Sequence, residues 1–316
     1  MAGEKIIAVT GATGAQGGGL ARAILADKAG GFKLRAITRK PDSDNAKKLA
    51  AAGAEVVVAD LDDEKSLAKA FAGAYGAYCL TNFWEHFSGE KEYVQAGNLA
   101  RAAKTAGIQH AVWSTFEDTR KWVPLTDNRM PTLQGKYKVV HFDAKAEAND
   151  LFIKAGVPTT FFLTTFYWEN LIFFGLGPKK GPDGKFAMTY PMGSAKLAGI
   201  AVEDIGKAAY GVFKRGKEFI GKTIGITGEH LTLVQMAASV SKALGIEVKY
   251  NEVTPAVFRS FGFPGADDVG NMFQIYQEFE KPFAAARPVE FTKSLNPALL
   301  TFDQWLAANK SRIPLE

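Results

Sequence analysis

Along the first half of the chain, short apolar runs alternate with segments of helical period. Residues 5–10, 34–38, the valine-rich 55–59, 76–81 and 110–114 are bounded by turn residues and read as buried strands. Between them Leu20, Ala21, Ile24 and Leu25 recur at helical spacing, as do Leu67, Ala70 and Phe71 within residues 63–72. The alanine-rich residues 90–106 predict a long helix stopped by Gly107. A helix over 139–154 and a sixth strand over 158–165 continue the alternation. This rhythm predicts an α/β fold: a Rossmann-type, doubly wound parallel sheet with helices on both faces.

The rhythm breaks at residues 116–138, a polar stretch with Trp122, Pro124, Pro131 and Gly135, whose length suits a lid or a partner surface. Past the sixth strand the composition changes. Residues 177–184 are rich in turn formers, and 202–213, 233–244 and 271–279 read as helices. Residues 223–227 are a candidate strand returning to the main sheet, and 261–265 a turn. The expected organisation is a sheet domain over 1–165, rejoined by 201–227, and a smaller discontinuous C-terminal lobe over 166–316.

Composition narrows the classes. Of 316 residues 47% are hydrophobic and 22% charged, which suits a globular chain of about two domains. A single cysteine, Cys79, excludes an internal disulfide, and its place in the fourth strand suggests a buried, inert thiol. His86, His110, His141 and His230 lack metal-ligand spacing, so no metal is expected. The most apolar stretch, 161–176, is interrupted by Glu169 and Asn170, and no membrane span is expected. The opening ten residues lack the charge order of a secretory signal. The expected compartment is the cytosol, with the nucleus left open. The net charge of +5 is dispersed, and without a reading motif direct nucleic-acid binding is not expected.

The strongest local signal is Gly11-x-x-Gly14-x-x-Gly17 between the first strand and the first helix. Gly11 permits the tight turn, Gly14 lets a pyrophosphate approach the backbone, and Gly17 lets the helix pack on the sheet. Thr13, Ala15 and Gln16 complete a loop whose N–H groups and helix dipole face the phosphates. Gly18 and Gly19 prolong the run at a helix cost of about 1 kcal/mol each, and close packing of cofactor or strand is expected to offset it. NAD-binding sheets place an acid at the end of the second strand. Here Thr38 or Arg39 stands in its place, and a guanidinium grips a 2′-phosphate, so NADP(H) is the expected cofactor, with Arg39 the anchor and Lys40 assisting. By position at carboxyl strand ends, Asp60 and Leu61 are expected at the adenine and Thr81 at a ribose. Phe166, Tyr167 and Asn170, just past the sixth strand, are further candidates for cofactor contact.

On the helix over 139–154, Asp143, Glu147, Asp150 and Lys154 fall on one side, expected to be wet. His141 and Lys145, four apart, fall together on the other side. A lysine there needs an anion, a hydroxyl or a cavity, or must snorkel to an edge.

These residues carry a resemblance. With Gly11-x-x-Gly14-x-x-Gly17, Thr38-Arg39, His141-Phe-Asp-Ala-Lys145, Phe261-Gly-Phe-Pro-Gly265 and Leu300-Thr-Phe-Asp-Gln-Trp305, the chain resembles the NmrA-like family of atypical short-chain dehydrogenases/reductases, most of all its NADPH-sensor subgroup. Ordinary members of the superfamily carry Tyr-x-x-x-Lys where this chain has His141-x-x-x-Lys145. The resemblance implies a cofactor lysine at Lys145, a serine partner near Ser114 or Thr115, and His141 in place of the proton-donating tyrosine. It implies an NADP(H)-binding redox sensor acting through a regulatory protein partner. The alternative is an NADPH-dependent reductase of a small carbonyl, quinone or imine, using Lys145 and His141 as catalytic residues, with Ser114. Phe83, Trp84, Phe116, Trp122, Phe166, Tyr167 and Trp168 suit an apolar pocket in the second reading.

Overall fold

The computed structural model describes residues 4–315, so Met1 to Gly3, read above for a leader, lie outside the described residues. In chain order the first elements are β1 (Lys5–Val9), α1 (Ala15–Ala26), β2 (Phe32–Thr38), α2 (Asp44–Ala51), β3 (Glu55–Val58), α3 (Glu64–Phe71), β4 (Gly76–Cys79), α4 (Gly89–Thr105), β5 (His110–Thr115), α5 (Val140–Ala155) and β6 (Thr159–Leu163). Then come β7 (Phe166–Tyr167), α6 (Asn170–Phe173), β8 (Lys179–Lys180), β9 (Phe186–Tyr190), β10 (Lys196–Ile200), α7 (Val202–Lys214), β11 (Thr223–Gly225), β12 (Glu229–Thr232), α8 (Leu233–Leu244) and β13 (Val248–Glu252). The chain ends through α9 (Pro255–Arg259), α10 (Ala266–Glu278), α11 (Glu280–Ala285), α12 (Val289–Leu295) and α13 (Phe302–Asn309).

The chain divides into two compact units. The first comprises residues up to Asp118 with His141–Thr164 and Glu203–Gly225. It holds a seven-stranded sheet of order β11-β6-β5-β4-β1-β2-β3, every neighbouring pair parallel. Strand order reverses at β1, which neighbours both β2 and β4, and this makes the sheet doubly wound. The expected returning strand does pair with β6, through Thr223–Gly225.

The core of this unit follows from the apolar runs. Ala8, Ile37, Leu67, Phe71, Leu99, Trp113 and Phe152 are buried in one cluster, and each large side chain among them contributes about 1.5–3 kcal/mol. Trp113 of β5 stacks on Phe152 of α5 with ring centres 5.0 Å apart. On α4 the buried positions Ala96, Leu99, Ala100 and Ala103 form its inward stripe, as the alanine pattern predicts.

Of the extra glycines of α1, Gly19 has a packing explanation, and the partner is a helix rather than the expected cofactor or strand. A Cβ at Gly206 of α7 would lie 2.0 Å from the Gly19 carbonyl carbon, so the two helices touch backbone to backbone there. A Cβ at Gly17 would lie 2.4 Å from the Gly11 carbonyl oxygen, which ties α1 against its own loop.

The second unit comprises Thr119–Val140, Thr165–Val202 and Ile226–Glu316, of which residue 316 is not described. It contains two three-stranded sheets, β12-β10-β7 and β13-β9-β8. Residues 119–140 cluster with this unit, where Trp122 stacks on Phe279 at 5.5 Å. Lys138, fully buried, donates to the carbonyls of Asp127 at 2.6 Å and Met130 at 3.1 Å. Asn271 of α10 donates to the carbonyls of Pro131 and Lys138, and Gln274 to that of Arg129. The segment read as a lid or partner surface is therefore fastened to α10. Residues 301–304 form a capping box on α13, and Trp305 donates to Glu169 at 2.9 Å. That part of the C-terminal motif is read by folding itself.

Candidate functional site

In a parallel sheet the carboxyl ends of all strands share one edge, and β1, β2, β4 and β5 bring their following residues there. The glycine loop leaves β1 through Thr10, whose hydroxyl donates to the carbonyls of Tyr78 and Leu80 and accepts the Leu80 N–H at 2.8 Å. Gly11 turns at φ +64°, and Gly14 donates to its carbonyl at 2.9 Å. Asn45 steadies the loop by donating to the Thr13 carbonyl at 3.0 Å. Helices α2, α3 and α4 begin with side-chain caps from Ser43, Asp63 and Ser88 and carry an acid in the first turn. Helix α1 begins at Gly14 with neither. Its opening N–H groups and dipole are left to an anion.

Gln16 plays two parts. Its backbone lies in the first turn of α1, while its buried side chain turns inward. The amide oxygen accepts the Tyr78 hydroxyl at 2.6 Å and the Ser114 hydroxyl at 2.8 Å. Ser114 is buried at the end of β5 in this arrangement.

Arg39 follows β2 and is half-exposed; its Nη2 lies 2.7 and 2.8 Å from the two carboxylate oxygens of Glu85. That hydrogen bond, with the nearby charges of Asp60 and Asp62, holds the guanidinium above its ordinary pKa. Asp60 accepts the Asp62 N–H, and the Leu61 carbonyl accepts Asn98 Nδ2 at 2.8 Å. Lys40 is exposed, its N–H bonded to the Thr38 hydroxyl.

Helix α5 carries Lys145 into a charged cluster. Lys145, 6% exposed, bonds the Thr81 hydroxyl at 2.5 Å and pairs with the Glu92 carboxylate, which is completely buried. Thr81 in turn donates to Glu92. His86 Nδ1 accepts the Ser88 N–H at 3.1 Å, so the neutral ring carries its proton on Nε2, 3.6 Å from the other Glu92 oxygen. The Lys145 ammonium also lies 5.3 Å from the Trp113 ring centre. The dry-face lysine thus has its anion and its hydroxyl, and does not snorkel.

His141 is buried among rings, 4.9 Å from Trp84, 4.7 Å from Phe142, 5.7 Å from Phe83 and 6.0 Å from Phe116. One expectation for α5 is corrected: Asp143, placed on the wet side, is fully buried. Periodicity separates polar from apolar faces, but it does not tell a solvated carboxylate from one enclosed by protein. The first turn of α5 is buried all round, from His141 to Lys145. In the second unit, Asp268 of α10 accepts the Val140 N–H, 128 residues away in the chain.

The remaining candidates divide. Phe166 and Tyr167 form β7, and Asn170 opens α6, all in the second unit. Phe166 there is buried against Tyr190 and Phe273. Trp168 packs on Phe302 and Trp305 in the same unit, whereas Phe83, Trp84 and Phe116 surround His141 in the first. Burial raises the Cys79 thiol pKa well above its usual range, so the thiol stays protonated. Among the described residues no group of three His, Cys, Asp or Glu could hold a metal ion, and no helix is long and apolar enough to cross a membrane.

Glu92, Glu85 and His86 were missed. Glu92 had a signal: it stands four and seven residues before Ala96 and Leu99, on the buried stripe of α4. An acid on an apolar stripe asks for a cation, and Lys145 is that cation.

A model of the NmrA-like family matches residues 3–306. The NmrA-like family domain-containing oxidoreductase FrzB of a Cladobotryum species is 29% identical, covering 90% of this chain and 88% of that one. The oxidoreductase lnbB of Aspergillus flavus is 27% identical, covering 97% and 98%. Among solved structures, NmrA, a negative transcriptional regulator, in complex with NADP, aligns with a TM-score of 0.77 at 24% identity, covering 96% of this chain and 94% of that one. The triphenylmethane reductase of a Citrobacter species, complexed with NADP(H), aligns with a TM-score of 0.73 at 20% identity, covering 96% and 99%.

Proposed function

Because the chain belongs to the NmrA-like family, we propose that it binds NADP(H) on its first unit and acts as an NADP(H)-dependent oxidoreductase. The observation that carries this is Lys145: a buried lysine tied to Glu92 and Thr81, on the same edge of the sheet as an uncapped helix preceded by a glycine turn. The residues present suit the cofactor. The first N–H groups of α1, at Ala15, Gln16 and Gly17, would hold the pyrophosphate beside the Gly14 turn. Arg39, assisted by Lys40, would hold the 2′-phosphate, and Asp60 and Leu61 would flank the adenine. Bound there, the nicotinamide supplies a hydride.

The chain's own residues supply position and charge. Glu92, in the first turn of α4, neutralises Lys145 and aims it along Thr81, so the ammonium reaches the strand edge already oriented. Phe83, Trp84, Phe116 and Phe142 keep water from His141. His141, one turn before Lys145, is the titratable group that would hold the exchanged proton in place of the missing tyrosine. The substrate would be a small carbonyl, quinone or imine. The names of the fungal relatives, which match most of the chain, support this reading.

A second reading, a nucleotide-responsive regulator working through a protein partner, is favoured by the same enclosure of His141 and by the likeness to NmrA. The two part in one assay: NADPH oxidation against a panel of aldehydes, ketones, quinones and imines. An oxidoreductase turns over at least one member, and Lys145→Ala lowers kcat/KM by about a hundredfold or more. Tight NADPH binding without any turnover supports the regulator.

A further inference from the structure

One arm of the Arg39 guanidinium is already engaged. Its Nη2 meets both oxygens of Glu85, and Glu85 sits on the 3-10 turn Phe83–Glu85 that follows β4. The other acids near this guanidinium are engaged elsewhere. Asp62 bonds Gln95 at 2.9 Å and Lys91 at 3.0 Å, and Asp60 accepts a backbone N–H. Glu85 therefore occupies Nη2, one arm of the fork that a two-point contact with a 2′-phosphate uses.

We propose that Glu85 sets the nucleotide preference of this site by competing with the 2′-phosphate for Arg39. This rests on the NADP(H) reading above. A nucleotide with a free 2′-hydroxyl leaves the Arg39–Glu85 pair in place. A nucleotide with a 2′-phosphate takes Arg39 and leaves Glu85 facing a second anion, which the carboxylate must turn away from. Both partners are about half-exposed, so the pair is weak enough to exchange.

The exchange has a place to be felt. Phe83 and Trp84 of the same turn pack on His141, and His86, the next residue, faces Glu92. Phe87 completes the segment at φ +53°, a conformation that a bulky side chain rarely holds. Releasing Glu85 thus loosens a strained segment that lines both His141 and the partner of Lys145.

Calorimetric titration of the ligand-stripped full chain with NADPH and with NADH tests this in wild type, Glu85→Gln and Asp62→Asn. Glu85→Gln is expected to tighten NADPH binding about fivefold, roughly what removal of an exposed ion pair is worth, and to leave NADH within twofold. Asp62→Asn, which removes an equal charge that does not bond Arg39, is expected to tighten NADPH less. Unchanged NADPH affinity in Glu85→Gln, an equal gain in Asp62→Asn, or a loss of NADH affinity overturns the proposal. Wild-type protein that binds neither nucleotide would instead overturn the cofactor reading on which it stands.

Discussion

Two buried groups show how single residues set the chemistry of the first unit. Glu92 and Lys145 are each almost wholly enclosed, and each is tolerable only because of the other. Glu92→Gln would leave Lys145 buried beside a neutral amide and is expected to cost on the order of 3 kcal/mol in urea unfolding. Lys145→Met should cost a similar amount, and the double variant less than their sum. Strict additivity would mean the two charges do not depend on one another. His110, fully enclosed beside Phe213, is the second case. Thr160 donates its hydroxyl proton to the Phe219 carbonyl, so His110 Nε2 must carry the proton it shares with Thr160 at 2.9 Å. Burial holds its pKa down to about 4, against about 6.5 for a free histidine. Protonation thus favours the unfolded chain. The stabilisation from neutral His110 is complete above pH 6.5 and is lost as pH falls from there to about 4, on the order of 3 kcal/mol in all. His110→Gln should flatten the stability profile across that window, as denaturation at a series of pH values would read. The sequence disclosed Lys145 and His141 through their spacing, but their partners stand on other strands and helices. Glu92 was legible only as an acid on an apolar stripe, and Glu85 not at all, because an exposed turn acid carries no mark of what it faces.

At the scale of elements, the glycines of α1 carry separate burdens, and substitution distinguishes them. Gly17→Ala would drive a methyl against the Gly11 and Thr10 carbonyls and should displace α1 from its loop, abolishing nucleotide binding. Gly206→Ala would force α7 away from α1 at Gly19, costing at least about 1–3 kcal/mol in thermal unfolding. Gly18→Ala meets mainly the flexible Arg22 guanidinium at 3.1 Å and should stabilise the helix by up to about 1 kcal/mol. If Gly18→Ala proved as damaging as Gly206→Ala, the helix–helix contact would not explain the run. The strands and most helices of the first unit were legible because each buries a face with its own period. Helix α2 escaped, since Asp44-Asn-Ala-Lys-Lys-Leu-Ala-Ala buries only Ala46 and Leu49. The small sheets of the second unit escaped too. Their short strands, such as Phe166–Tyr167 and Lys179–Lys180, are too brief to show any period.

For the whole molecule, the pattern of alternation was enough to give the strand order its class, since a right-handed crossover leaves few alternatives. It gave no warning that residues 119–140 cluster with the second unit, because the Asn271 bonds that fasten them join positions over 130 residues apart. Binding of NADPH to the native chain alone should stabilise it by about 2.7 kcal/mol at a hundredfold excess over Kd, seen as a raised unfolding temperature. The most direct measurement is titration calorimetry of ligand-stripped wild type and Arg39→Ala with NADPH and NADH. NADPH should bind at one per chain and more tightly than NADH, and Arg39→Ala should weaken NADPH by roughly tenfold or more while sparing NADH. No heat with either nucleotide, or an affinity ratio that Arg39→Ala leaves unmoved, would contradict a phosphate site at the end of β2.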